Sequence, residues 1–223
     1  MKYNKRRWAG MGLYCSFNKS DATDDSGNNN NGIISGAVIA KGKIGQCFEF
    51  TAATQYIEVA DNSTIENNRL NTYALWLNSD AWSGLGNDIV AKGDVASAVY
   101  FASNGTDLTS DHPGDGLGAQ TAALPSAGAW HHIIYSKGTA GIYIFVDNVQ
   151  VVFAANTSTY ALNNIAFRIG ANSDGVGGDN GFDGKIDEVY IFTTELTPQE
   201  RAVLYSDGRN VIPKFKKVAH DAI

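Results

Sequence analysis

The chain has 223 residues, 43% of them hydrophobic, 11% aromatic and only 18% charged, with 24 glycines and a net charge of −6. That composition suffices to bury the core of one larger β-rich domain, and it excludes a disordered chain, a collagen and a coiled coil. No stretch approaches the roughly eighteen unbroken apolar residues of a membrane helix, so no membrane association is expected.

The N-terminal arm, residues 1–11, carries Lys2, Lys5, Arg6, Arg7 and Trp8. Its positive start resembles that of a secretion signal, but no sustained apolar core follows before Cys15, so the expectation is a chain made in the cytoplasm without a signal peptide. The arm at the other end, residues 208–223, carries Lys214, Phe215, Lys216 and Lys217. The first ten residues hold +4 and the last fifteen +3, which leaves −13 on residues 11–208 out of the total of −6. An acidic body with basic ends is a poor partner for nucleic acid, whereas the ends suit docking onto an acidic neighbour or simple solvation.

Between the arms, 12–207 read as one β domain with no linker. Runs rich in Val, Ile, Tyr and Phe fall at 12–17, 46–50, 56–59, 73–78, 88–92, 98–102, 130–136, 142–146, 150–154, 166–170 and 185–192. Eleven or more strands imply two stacked antiparallel sheets. Residues 24–32, rich in Asp, Ser and Asn, read as a tight polar loop. Alternation puts Cys15 on the face of Leu13 and Phe17, but Cys47 on the face opposite Phe48 and Phe50, so one thiol is expected inward and the other outward, and no disulfide between them. Asp147-Asn148 suits a tight hairpin turn. Thr197-Pro198-Gln199-Glu200 is a helix start with a capping threonine, and it predicts a single helix over 198–206.

Ordered pieces of the chain resemble one known family. They are Leu13-Tyr14-Cys15-Ser16-Phe17, Asp25-Ser26-Gly27-Asn28, Gly42-Lys43-Ile44-Gly45-Gln46-Cys47-Phe48-Glu49-Phe50 and Tyr73-Ala74-Leu75-Trp76-Leu77. Trp130-His131-His132-Ile133, Phe145-Val146-Asp147-Asn148 and Phe182-Asp183-Gly184-Lys185-Ile186-Asp187-Glu188-Val189-Tyr190-Ile191-Phe192 continue the order. The set is similar to the laminin G-like branch of the concanavalin A-like lectin/glucanase superfamily. The resemblance implies an all-β jelly-roll sandwich of two antiparallel sheets with one short C-terminal helix, Trp76 and Trp130 being buried.

That fold hosts lectins, adhesion modules, glycosidases and assembly proteins, so site residues must decide function. Glycosidases of the superfamily place two glutamates around an aspartate as Glu-x-Asp-x-Glu. None of the six glutamates, Glu49, Glu58, Glu66, Glu188, Glu195 and Glu200, stands in such a motif, and no enzyme is expected. The resemblance also implies one structural Ca²⁺ where the first and last strands meet, with Asp187 as ligand and Asn18 and Asp25 as further donors. The competing reading has Asp187 accept backbone hydrogen bonds from the 28–31 loop. Asp174, Asp179 and Asp183 in a Gly-rich loop suit solvation better than a second cation. His131 and His132 alternate faces and cannot share a metal, and His132 reads as a hydrogen-bonded core histidine.

Sugar binding needs an aromatic platform beside directional polar groups. Trp82, in a loop, is the candidate platform, with Asn87, Asp88, Asn104, Asp107 and Asp111 nearby; the alternative is that Trp82 closes one end of the sandwich. The function expected first is a non-catalytic, lectin-like decoration domain displayed on a larger particle such as a phage virion, docked on neighbouring subunits through its basic ends. A free-standing carbohydrate-binding module, extracellular in that case, is the alternative, and a hydrolase lacking the usual motif stands last.

Overall fold

The computed structural model describes residues 8–82, 87–92, 99–111, 119–159, 162–172 and 181–207, with the backbone alone at 87, 99, 100, 111 and 207. Among the described residues, fifteen strands make two antiparallel sheets packed face to face, a jelly-roll sandwich, with one helix. The larger sheet runs β13 (Val149–Ala155), β12 (Gly141–Val146), β11 (His131–Lys137), β6 (Asn71–Ser79), β15 (Gly184–Phe192), β4 (Gln46–Phe50) and β3 (Val38–Lys41), with β1 (Met11–Cys15) also beside β15. The smaller sheet runs β10 (Gln120–Ala123), β9 (Asp107–Asp111), β8 (Val99–Ser103), β7 (Asn87–Lys92), β14 (Phe167–Ile169), β5 (Tyr56–Val59) and β2 (Gly32–Ser35).

All eleven strands expected from the sequence are present, and β2, β3, β9 and β10 are additional. The four lack a period-2 apolar signal. In β2 and β3 both faces are aliphatic because the strands lie at sheet edges, where Ile33 is 73% and Val38 49% exposed. β9 and β10 are polar or small, as Asp-Leu-Thr-Ser-Asp and Gln-Thr-Ala-Ala.

The interior between the sheets is filled by alternate residues, among them Leu13, Phe48, Phe50, Ile57, Val59, Leu75, Leu77, Ile133 and Ile144. Each such side chain contributes on the order of 2 kcal/mol by leaving water. A second apolar cluster lies on the outer face of the larger sheet, where Ala74, Ile134, Phe145 and Phe192 meet Leu196 and Leu204. Leu204 comes from the one described helix, α1 (Pro198–Asp207). Its cap is as the sequence predicts: the Thr197 amide donates to Glu200 Oε2 (2.8 Å) and the Glu200 amide to Thr197 Oγ1 (3.3 Å). β6 is therefore covered on both faces, which is why its sequence shows no alternation. Trp76 is buried in that cover, clustered with His132 and Tyr205, with Lys43 Nζ 4.5 Å above its ring. Trp130, expected in a strand and buried, instead precedes β11 and is half-buried.

Both cysteines are free and both are buried. Cys15 faces the interior as expected; Cys47 falls on the face opposite Phe48 and Phe50 but is fully buried rather than exposed, in the neighbourhood of Asp187, Lys185 and Glu49. The turn at Asp147-Asn148 has φ of 50° and 65°, the left-handed pair that a two-residue hairpin requires. β15 changes partner on one side partway along: residues 184–186 pair with β4 and residues 189–192 with β1. The switch is made by a bulge after Asp187, and Glu188 there takes φ of 51°.

Candidate functional site

The bulge places Asp187 and Glu188 at the fork between β4 and β1. Asp187 Oδ2 accepts the Ile44 amide (2.8 Å), so the loop it organises is the 42–45 turn rather than the 28–31 loop. Its Oδ1 is buried without a hydrogen-bond partner, and burial pushes the carboxyl up to about 7, opposed by the Ile44 amide. Asp24 organises the 28–31 loop: its two oxygens accept the amides of Tyr14, Ser26 and Asn30 and the Ser26 hydroxyl.

Each of the three residues that the resemblance assigns to calcium has a protein partner, Asp187 and Asn18 both on the 42–46 turn. Asn18 Oδ1 accepts the Gln46 amide (3.0 Å), and Asp25 is held by Ser16 Oγ (2.7 Å) and by Lys19 Nζ (2.9 Å). Among the described residues no group of three or more His, Cys, Asp or Glu is placed to hold a metal ion.

Trp82 is half-buried. Its indole N–H donates to the Pro125 carbonyl (2.8 Å) and its ring meets the edge of Phe182 at 6.2 Å, so it packs against the core at one end of the sandwich. Asn104 and Asp107 flank the β8–β9 turn, where Asn104 Oδ1 accepts the amides of Thr106 and Asp107 (3.0 and 2.8 Å). Asp88 is buried on β7, opposite Ala102. The side chains of Asn87 and Asp111 lie outside the described residues, as do Arg6, Arg7, Lys214, Phe215, Lys216, Lys217, Asp174 and Asp179. Trp8 is described, and it stacks on Phe192 at 5.7 Å. Asp183 is half-buried and uses its backbone carbonyl to hold the Asp80 amide (3.2 Å).

His131 and His132 point to opposite faces. His131 Nδ1 pairs with Asp147 Oδ2 at 2.8 Å. The His132 ring is buried as expected, packed on Trp76 and Tyr205, and its Nδ1 has no hydrogen-bond partner. Burial lowers its pKa to about 3.

Sequence reasoning did not single out a further group, on the outer face of the smaller sheet. Arg168 of β14 lies opposite Glu58 of β5 and Ala91 of β7. Its Nε and one terminal nitrogen both reach Glu58 Oε2 (2.8 Å each), the other terminal nitrogen donates to the Asn172 carbonyl (3.0 Å), and the guanidinium sits 4.1 Å over the Tyr56 ring. The alternation Tyr56-Ile57-Glu58-Val59 beside Phe167-Arg168-Ile169 was the available signal: each apolar residue points inward, so Tyr56, Glu58 and Arg168 share the other face.

Each of the six glutamates is tied to a structural partner. Glu49 pairs with Lys185 (2.7 Å), Glu58 with Arg168 (2.8 Å) and Glu66 with Lys92 (3.2 Å). Glu188 Oε2 accepts the hydroxyls of Tyr14 (2.6 Å) and Tyr190 (3.0 Å). Glu195 accepts the Thr139 amide (3.1 Å), and Glu200 caps α1.

A two-sheet antiparallel sandwich of this topology has the jelly-roll architecture of lectin-like β proteins. The family described as the Concanavalin A-like lectin/glucanases superfamily matches residues 51–200, more than half of the chain, and the protein is a member of that superfamily. No curated protein sequence matches the chain. Domain 4 of AbnA, a GH43 extracellular arabinanase from Geobacillus stearothermophilus in complex with arabinotriose, is 20% identical with a TM-score of 0.71, over 90% of this chain and 98% of that one. The binding domain of Paraclostridial Mosquitocidal Protein 1 is 16% identical with a TM-score of 0.70, over 89% and 52%. A structure of botulinum neurotoxin type C, whose cell entry depends upon interaction with two ganglioside molecules, is 14% identical with a TM-score of 0.66, over 89% and 51%. At these identities the likeness shows the fold; this chain spans nearly all of the arabinanase domain and about half of each toxin chain.

Proposed function

We propose that the protein is a non-catalytic, lectin-like carbohydrate-recognition module. The observation that carries this reading is the commitment of all six glutamates to structural partners, which leaves no glutamate pair to work as acid and nucleophile across a glycosidic bond. Superfamily membership supports it, as do the arabinotriose complex and the ganglioside dependence of two structural neighbours. The polar, aromatic outer face of the smaller sheet offers carboxylate, guanidinium and phenol groups of the kind that orient sugar hydroxyls. A glycan array together with reducing-sugar release from polysaccharides tests the reading. Binding without release is expected, and release abolished by replacing a carboxylate pair would overturn it.

A second reading makes the module a displayed subunit of a larger particle, docked on its neighbours. Exposed aliphatic and aromatic side chains on the outermost strands of the larger sheet favour it: Val38 and Ile39 on β3, and Val149, Val151 and Phe153 on β13. β13 carries no charged residue, whereas β3 ends in the exposed Lys41, so of the two edges β13 is the one that invites pairing with another chain. Light scattering on the intact chain, on one lacking both basic ends, and on Val38→Lys with Val151→Lys tests it; a monomer throughout counts against assembly.

A further inference from the structure

We infer that the oxygen cage around Lys92 is a calcium-type site that the chain fills with its own ammonium, and that a calcium ion takes the ammonium's place once it is removed. Carbohydrate recognition plays no part in this: the cage holds the scaffold, whatever the scaffold binds.

Lys92 ends β7 directly opposite Phe167 of β14, and cross-strand partners share a face, so its side chain runs inward beside a core phenylalanine. It is 4% exposed. A cation so placed needs partners at its tip, and two loops supply them. From the stretch between β5 and β6, Asp61 Oδ1 lies 2.6 Å and Glu66 Oε2 3.2 Å from Nζ. The stretch before β14 adds the carbonyls of Ile165 (2.7 Å) and Asn163 (3.3 Å) and the side-chain oxygen of Asn163 (3.4 Å).

The cage is larger than an ammonium requires. Five oxygens surround a group with only three N–H donors, and Glu66 Oε2 is buried beside the nitrogen without a hydrogen bond. Two carboxylates also face one ammonium, which leaves the group at −1. A calcium ion has no such mismatch. It takes about six to eight oxygens, carboxylate and carbonyl alike, and its double charge cancels both carboxylates. A modest contraction brings these oxygens to the ~2.3–2.6 Å of calcium contacts, and water entering the vacated space supplies the remaining ligands. Magnesium, which demands a near-ideal octahedron at ~2.0–2.1 Å, fits poorly. In the parent protein the ammonium is tethered to β7, so both loops stay pinned there with no dependence on dissolved calcium.

The test compares the full-length parent with Lys92→Ala and with Lys92→Met, which keeps most of the volume without the charge. Thermal melts and circular dichroism are run in EDTA and in millimolar CaCl2 or MgCl2. Calcium uptake is measured by titration calorimetry, always as the difference from the parent, so that calcium bound elsewhere cancels. Both variants are expected to melt below the parent in EDTA, because two largely buried carboxylates lose their cation. Calcium should recover most of that loss in Lys92→Ala, with an affinity about tenfold or more above that for magnesium, and none of it in Lys92→Met. Adding Asp61→Asn and Glu66→Gln to Lys92→Ala should abolish the response. Where Lys92→Ala is unfolded in EDTA, regain of its far-ultraviolet signal on adding calcium is the readout. A Lys92→Ala chain that takes up no more calcium than the parent, or stays unfolded in both conditions, overturns the inference. Equal recovery by magnesium, or recovery of Lys92→Met by calcium, marks general ion screening and overturns it as well.

Discussion

Tyr14 and Tyr190 stack in parallel, 4.3 Å between ring centroids and 3° between planes, and both hydroxyls donate to the same Glu188 oxygen. β1 is thereby joined to β15 by side chains as well as by backbone pairing, at the fork where β4 has just left. Burial first, and the Glu188 charge second, push both phenols well above their ordinary range.

Glu188→Gln should therefore cost about 1–3 kcal/mol, because two phenol hydrogen bonds lose their charged acceptor. Tyr14→Phe should cost less, about 1 kcal/mol. Urea unfolding measures both. In a spectrophotometric pH titration of the folded protein, these two tyrosines should ionise only when the chain unfolds.

Two buried groups pull the acid stability in opposite directions. His132 is held near 3, below an exposed imidazole at 6.5, so the unfolded chain takes up a proton that the folded one refuses. Its contribution is whole above pH 6.5 and drains as pH falls toward 3, by about 1.4 kcal/mol per unit. Asp187 is pushed up to about 7 from 3.8, so its contribution is whole below pH 3.8 and is lost as pH rises toward 7. Relative to the parent protein, His132→Phe should gain stability and Asp187→Asn should lose it as pH is lowered from 6.5 to 4. Urea midpoints across that window check the signs, and parallel curves for the three proteins would refute them.

The Asp147-Asn148 turn makes a sharper contrast. Asn148→Gly keeps the φ of 65° at no steric cost and should change stability by a few tenths of a kcal/mol, whereas Asn148→Val should lose about 1–2 kcal/mol. Asp147→Ala should cost more than the turn alone explains, because Asp147 also accepts the His132 amide (3.0 Å) and pairs with His131. Thermal melts of the three variants give the order.

Asp24→Ala should release the 28–31 loop together with β1, since one carboxylate serves three backbone amides and a hydroxyl. A loss of roughly 3 kcal/mol is expected from so many donors left without an acceptor. Amide hydrogen exchange should show the Tyr14, Ser26 and Asn30 amides losing protection first.

Where a segment has a single environment, its sequence announces its structure: the 46–50 and 56–59 strands, the capped helix and the Asp147-Asn148 turn all lie where alternation, capping and turn chemistry put them. Legibility fails where two layers meet. Cys47 alternates outward, yet it is fully buried. Asp187 reads as a loop-holding acid, but which loop it holds depends on the bulge that turns it toward Ile44 rather than toward Asn28. Trp82 looks like an exposed ring until Pro125, far along the chain, supplies an acceptor for its N–H. The Tyr56, Glu58 and Arg168 group is invisible for the same reason, since residues 58 and 168 become neighbours only through strand order.

The position of β15 sets a timetable for the nascent chain. The last of the described strands to leave the ribosome is a central one, flanked by β6 on one side and by β4 and then β1 on the other, and Tyr14 waits 174 residues for Glu188. Such distant pairing delays closure and leaves early strands unsatisfied during synthesis. A fragment ending before Gly184 would retain both halves of the larger sheet with nothing to join them, so synthesis through Phe192 is the point at which this sandwich becomes one body.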